Sequence, residues 1–254
     1  MNQPTVASGE TTWWSKFFVF SAVLCLFLLL SGPFGYKYEI TGLGPSLISS
    51  LVALVGAVLV FVVGFIMMMV AIKKQLPRDR NLILVAMALS LIPMLFVFPQ
   101  MMKARSVPAI HDISTDTTNP PQFVLLAEER GETDNDLVYE DLTVGSETAA
   151  TQKQAYPNVK SLTSSLAPSA ALEKAAATLE AQGLEVANVD TSLGIVEATA
   201  TTAWFGFKDD VVVRVQADGT GSVIDVRSVS RVGRSDIGAN AARIEAFLAA
   251  FAAG

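Results

Sequence analysis

The chain has 254 residues, is 51% hydrophobic and carries a formal net charge of −6 from 18 basic and 24 acidic side chains. That acidic balance excludes a surface built to neutralise nucleic-acid phosphates. A single cysteine, Cys25, excludes a disulfide framework and a thiolate metal cluster.

The apolar residues are concentrated at the front. Phe17–Leu30, Leu47–Ile72 and Leu82–Met102 are runs almost free of charge, and about 20 helical residues at roughly 1.5 Å each cross the ~30 Å hydrocarbon core. The expectation is a three-helix transmembrane anchor over residues 1–105 and a water-facing domain over 106–254. Lys16 precedes the first run as in a signal peptide. However, Leu30-Ser31-Gly32-Pro33-Phe34 offers no small-x-small cleavage site, and Trp13-Trp14 suits an interfacial belt, so the run reads as a retained helix. The loop between the second and third runs carries Lys73, Lys74, Arg78 and Arg80 against Asp79 alone. The positive-inside rule puts that loop and the N-terminus in the cytoplasm and the domain outside, in the periplasm of a Gram-negative cell. No ionisable side chain sits at the centre of a run, which argues for an anchor and against a transporter.

Beyond Met102, Val107 to Asp116 and Asn119-Pro120-Pro121 read as an extended strap. Glu128 to Glu147 holds eight acids and one base, Arg130, and reads as a solvated loop. Pro168 to Gln182 has helical composition with an apolar stripe of Leu172, Ala175, Ala176 and Leu179, stopped by Gly183. Four strands are expected at Leu184–Asp190, Gly194–Trp204, Asp209–Ala217 and Ser222–Arg231, with a tight turn at Asp218-Gly219. A helix from Asp236 to Ala252 closes the chain along Ile237, Ala241, Ile244, Leu248 and Phe251. The fold class is α+β: a two-layer domain with a four-strand antiparallel sheet and both helices on one face.

Alternation assigns the faces. Val196, Ala198, Ala200, Trp204, Val211, Val213, Val215, Ile224 and Val226 belong under the helices. Glu197, Thr199, Thr201, Asp210, Arg214, Asp225 and Arg227 lie on the other side, expected as an exposed ladder with Asp210 opposite Arg227 and Arg214 diagonal to Asp225.

The densest polar run is Asp225 to Asn240. A strand ending in Arg and Ser, a glycine turn and a helix N-terminus make an anion site in which Arg231 and Arg234 add charge. The competing reading is structural, because Ser235 or Asp236 is a good N-cap for the same N–H groups. Here the chain resembles a known family. Arg227-Ser228-x-Ser230-Arg231-x-Gly233-x-x-Asp236-x-Gly238-x-Asn240-x-x-Arg243-Ile244, with His111-Asp112-Ile113-Ser114-Thr115-Asp116, Asn119-Pro120-Pro121, Tyr156-Pro157 and Trp204 ahead of Asp209-Asp210, looks like the signature of DUF1499, a domain of unknown function. Leu184 departs from the tryptophan such proteins often carry there. The resemblance implies an identity without an activity.

His111 is the only histidine, no Gly-x-Ser-x-Gly elbow occurs, and Asp209 and Asp210 point to opposite strand faces. Neither a metal nor a cofactor is expected. Two functions stay open: a tethered module binding an anionic lipid, an envelope component or a protein, and an unrecognised hydrolase or transferase using His111 with a nearby aspartate. The candidate site residues are His111, Asp112, Asp210, Arg214, Arg227, Ser228, Ser230, Arg231, Arg234, Asp236 and Asn240.

Overall fold

The computed structural model describes residues 11–139 and 147–253. They divide into two compact units, 1–102 and 103–254. The first holds three helices long and apolar enough to cross a membrane: α1 (Trp13–Lys37), α2 (Leu43–Lys73) and α3 (Pro77–Ser106). They run past the apolar stretches at both ends. α1 continues through Pro33, and the neighbouring Gly32 lies against α2, where an added Cβ would meet the Ser46 carbonyl at 2.5 Å. Gly56 and Gly64 likewise admit Cys25 and Met87, each 2.8 Å from where a Cβ would stand. Small residues permit this close approach in lipid. At one end, buried Asp79 accepts hydrogen bonds from the Thr12 N–H (2.8 Å), the Thr12 hydroxyl (2.7 Å) and the Ser15 hydroxyl (2.6 Å), tying the start of α1 to the start of α3.

The second unit is α+β. Its long strands are β3 (Glu185–Asp190), β4 (Ile195–Thr201), β5 (Lys208–Asp218) and β6 (Gly221–Ser230). Two three-residue strands, β1 (Asp112–Ser114) and β2 (Leu162–Ser164), pair in succession along the outer edge of β6, giving an antiparallel order β1-β6-β5-β4-β3 with β2 beside β6. Three-residue segments carry no periodicity, so the sequence predicts only the four long strands. The remaining helices are α4 (Leu125–Glu129), α5 (Glu147–Ala155), α6 (Pro168–Ala181) and α7 (Ala239–Ala253).

One sheet face carries the main core. Val196, Ala198, Val211, Val213, Val215, Ile224 and Val226 meet Leu172, Ala175 and Leu179 of α6 and Ile244, Phe247 and Phe251 of α7, as the alternation implies. Two residues leave that expectation. β4 ends at Thr201, so Trp204 sits in the following loop, 37% exposed. Ile237 precedes α7 at φ 55°, a left-handed conformation costly for a β-branched side chain.

The other face corrects the expected exposed ladder. Glu197, Asp210 and Arg227 are completely buried and Asp225 nearly so. The chain from Asp116 to Tyr139 covers them, with Phe123 and Leu126 packing on Ile195, Val212 and Val229. The register also differs by two residues: the turn residues are Gly219 and Thr220, so Asp210 faces Val229, Val212 faces Arg227, and Arg214 lies directly opposite Asp225. A two-residue shift preserves parity, which is why the faces are right although the pairs are not. The second half of the expected acidic loop, 140–146, lies outside the described residues.

Candidate functional site

Each charge under the strap has a partner. Arg227 donates through Nε and Nη2 to the two carboxylate oxygens of Asp112 at 3.0 and 2.7 Å. Its Nη1 reaches the Pro121 carbonyl at 3.2 Å and Nη2 the Leu137 carbonyl at 2.8 Å. The Phe123 and Tyr139 rings flank the guanidinium, their centroids 5.6 and 5.7 Å away. Asp210 receives Arg130 at 2.9 Å, both Nε and Nη2 of Arg231 at 3.0 and 2.9 Å, and the Thr199 hydroxyl at 3.1 Å. Burial works against the Arg231 charge, but the Asp210 carboxylate outweighs it and holds the guanidinium pKa above its ordinary value.

Arg214 bridges Asp225 (2.8 Å) and Asp116 (3.0 Å). Burial raises Asp116, yet the Asn119 and Thr118 N–H groups and Arg214 together hold it below the usual carboxylate range. Glu197 accepts the Val124, Leu125 and Leu126 N–H groups at 2.8, 3.0 and 3.2 Å, so a sheet carboxylate caps the start of α4. Gln152 of α5 accepts the Ser114 N–H and donates to the Ser114 carbonyl, acting as one more strand partner for β1.

The turn between β6 and α7 is equally self-satisfied. Ser228 donates to Asn240 at 2.7 Å, and Asn240 donates to the His111 carbonyl at 2.9 Å and the Ser230 hydroxyl at 3.0 Å. Arg243 joins Ser228 (2.9 Å) to Asp209 (2.7 Å). The helix N-terminus already holds an anion: the Asp236 carboxylate takes the Gly238 and Asn240 N–H groups, both at 2.7 Å. Burial dominates this carboxyl and, against those two bonds, lifts its pKa above the ordinary value.

What remains is a cleft of about 330 Å³ beside this turn, lined among others by His111, Asp112, Asn135, Asp136, Tyr139 and Arg234. Asp112 is engaged by Arg227, and the Asn135 amide donates to the Ser230 and Gly233 carbonyls at 3.0 and 2.8 Å. Asp136 accepts the Val138 N–H. The His111 backbone is fixed by Ser230 and Asn240, while among the described residues its imidazole makes no hydrogen bond. Arg234 is exposed and without an ion pair among the described residues, whereas Arg130, Arg214, Arg227, Arg231 and Arg243 are all paired.

Of the residues singled out by sequence, His111, Asp112 and Arg234 therefore line the cleft. Asp210, Arg214, Arg227, Ser228, Ser230, Arg231, Asp236 and Asn240 are held in internal bonds. Neither Asp112 nor Asp210 is bonded to the His111 ring, so the pairing that an acid–base site would need is not formed by these two. The candidate site residues omit Arg130, Gln152, Glu197 and Arg243, although Glu197 is on the expected ladder face and Arg243 in the family-like motif. The signal for Arg130 was its isolation: one base among eight acids needs a reason.

No curated protein sequence matches the chain. A family model described as a protein of unknown function, DUF1499, matches residues 112–251, from the first strand of the sheet to the last turn of α7. With more than half its length matched over the whole of this sheet, the chain belongs to the DUF1499 family.

Proposed function

We propose that this protein is a membrane-tethered, extracytoplasmic binding module that takes up an anionic group, from a lipid headgroup or an envelope component, in the cleft between His111 and Arg234. The observation that carries the reading is Arg234. The fold pairs the other arginines of the sheet domain proper and leaves this one on the cleft wall, near a histidine whose imidazole makes no hydrogen bond among the described residues. A guanidinium without an ion pair among the described residues is the side chain best suited to a phosphate or carboxylate. The basic loop at Lys73, Lys74, Arg78 and Arg80 supports the outward orientation of the domain.

The test uses the full chain in nanodiscs and thermal unfolding with inorganic phosphate or glycerol phosphate. A ligand at 100 times its Kd adds about 2.7 kcal/mol, a rise of roughly 5–10 °C. Arg234→Ala should abolish that rise while leaving the unliganded transition in place. A rise of equal size in Arg234→Ala would overturn the proposed site. Protease added to sealed spheroplasts should cut the domain; protection until lysis would invert the compartment.

A further inference from the structure

The turn between α2 and α3 closes without help from its charged side chains. Lys74 N–H donates to the Val70 carbonyl at 2.9 Å, Gln75 N–H to the Ile72 carbonyl at 3.1 Å and Leu76 N–H to the Ala71 carbonyl at 2.9 Å. With Gln75 at φ 54°, this is the left-handed helix stop more often made by glycine. The only acid between Lys73 and Arg80 is turned inward: Asp79 is buried and accepts its bonds from Thr12 and Ser15. Lys73, Lys74, Arg78 and Arg80 are exposed, and among the described residues none of these side chains makes a hydrogen bond or an ion pair.

Lys73 and Lys74 complement the carbonyl end of α2. Arg78 and Arg80 have no such role, because they stand in the first turn of α3, where the helix dipole disfavours a cation. The four charges also share one depth. Lys73 follows Ile72, which ends one apolar run, and Arg80 precedes Leu82, which begins the next, by two residues. At roughly 1.5 Å per residue both lie within about 3 Å of the hydrocarbon edge, inside a headgroup layer about 5–8 Å thick. A cleft of about 320 Å³ opens at this turn, lined by apolar Ala71, Ile72, Leu76 and Pro77 together with Gln75 and Arg80. Setting the orientation of the chain needs the charges but not the cleft.

We infer that this cleft binds an anionic phospholipid, with the headgroup phosphate on Arg80 and Gln75 and the glycerol end and first methylenes against Ile72, Leu76 and Pro77. Arg80 supplies the forked donor that suits a phosphate, and Lys73, Lys74 and Arg78 add to the positive field around it. The inference rests on the spanning reading of the three helices. It depends neither on the Arg234 cleft nor on the direction in which the chain is inserted.

The experiment reconstitutes the full chain in vesicles of equal parts phosphatidylglycerol and phosphatidylcholine with the same acyl chains. The chain is extracted in mild detergent and its retained lipid is counted by mass spectrometry. Phosphatidylglycerol should exceed phosphatidylcholine at least about fivefold, the worth of one basic side chain at an anionic surface, and Arg80→Gln should lower the ratio about fivefold. In the unaltered chain the preference should shrink between about 0.1 and about 1 M salt, as the screening length falls from about 10 to about 3 Å. It should persist in Arg234→Ala, which separates this cleft from the other. Equal retention of the two lipids, a preference that neither Arg80→Gln nor salt reduces, or one abolished by Arg234→Ala overturns the inference. Displacement of the lipid by glycerol phosphate also overturns it, because the ligand is then a free phosphate ester. A chain recovered outside the vesicles overturns the tether itself and this inference with it.

Discussion

Arg227→Met isolates what holds the strap on the sheet. Methionine keeps much of the volume between Phe123 and Tyr139 but removes every donor. It leaves the buried Asp112 carboxylate without its bidentate partner and the Pro121 and Leu137 carbonyls without theirs. Deleting one member of a buried pair costs about 3–5 kcal/mol, and each deprived carbonyl adds of order 1 kcal/mol. A total of about 5–7 kcal/mol is a third or more of a typical domain's stability and corresponds to a fall in Tm of roughly 10–30 °C. The assay is thermal unfolding of the full chain followed by the near-ultraviolet aromatic signal, to which Tyr139 contributes. Adding Asp112→Leu removes the stranded charge, so the double variant should recover at least ~1–3 kcal/mol of the loss. A single variant within ~1 kcal/mol of the parent, or losses that simply add in the double variant, would refute the claim that this pair fastens the strap.

Gly194→Ala should destabilise by ~2 kcal/mol or more, because φ is +67° and a Cβ would stand 2.5 Å from the Val215 carbonyl, whereas Gly183→Ala, at φ +80° in open space, should cost only ~1 kcal/mol; equal losses in chemical unfolding would sink the steric argument. Asp79→Ala withdraws three acceptor contacts from Thr12 and Ser15, so amide exchange over the first turn of α1 should accelerate in nanodiscs by the equivalent of ~1–3 kcal/mol while α2 is unchanged. Asp116 and Asp236 titrate with opposite sign. The depressed Asp116 contributes stability that is complete above about pH 4 and lost as pH falls through its folded value, so Asp116→Asn should flatten the acid limb of a stability profile. The raised Asp236 favours its protonated form in the fold, so its share of stability increases as pH falls through its folded value toward about 4, and Asp236→Asn should remove that rise.

The long elements were legible because their periodicities are strong: the α6 stripe and the valines of β4, β5 and β6 could face only one core. The burial of the opposite face was less visible, although a signal existed. Ile195, Val212 and Val229 share that face with Glu197, Asp210 and Arg227, and three aliphatic residues among charges mark a surface that something covers. What covers it had no period of its own. Asp116 to Tyr139 is held by side-chain bonds from the sheet to its backbone, as Glu197 holds Leu125, and such long-range pairings leave no local trace in sequence. The β5–β6 register failed for a smaller reason: the turn is centred one residue later than the Asp-Gly pair suggests.

These pairings change what the signature of the family says about chemistry. Arg227, Ser228, Ser230, Arg231, Asp236, Asn240 and Arg243 look from sequence like a polar site assembling at a helix terminus. Each instead bonds another part of the chain, and the anion at that terminus is Asp236 itself. A motif can thus be dense in functional-looking residues because a buried polar face needs internal partners, each missed group costing ~1–3 kcal/mol, and on this face Arg214 Nε is one buried atom left without a partner among the described residues. Function is then to be sought among side chains the network does not use. Arg234 and His111 line one cleft, at the end of the sheet where β1 begins and β6 ends.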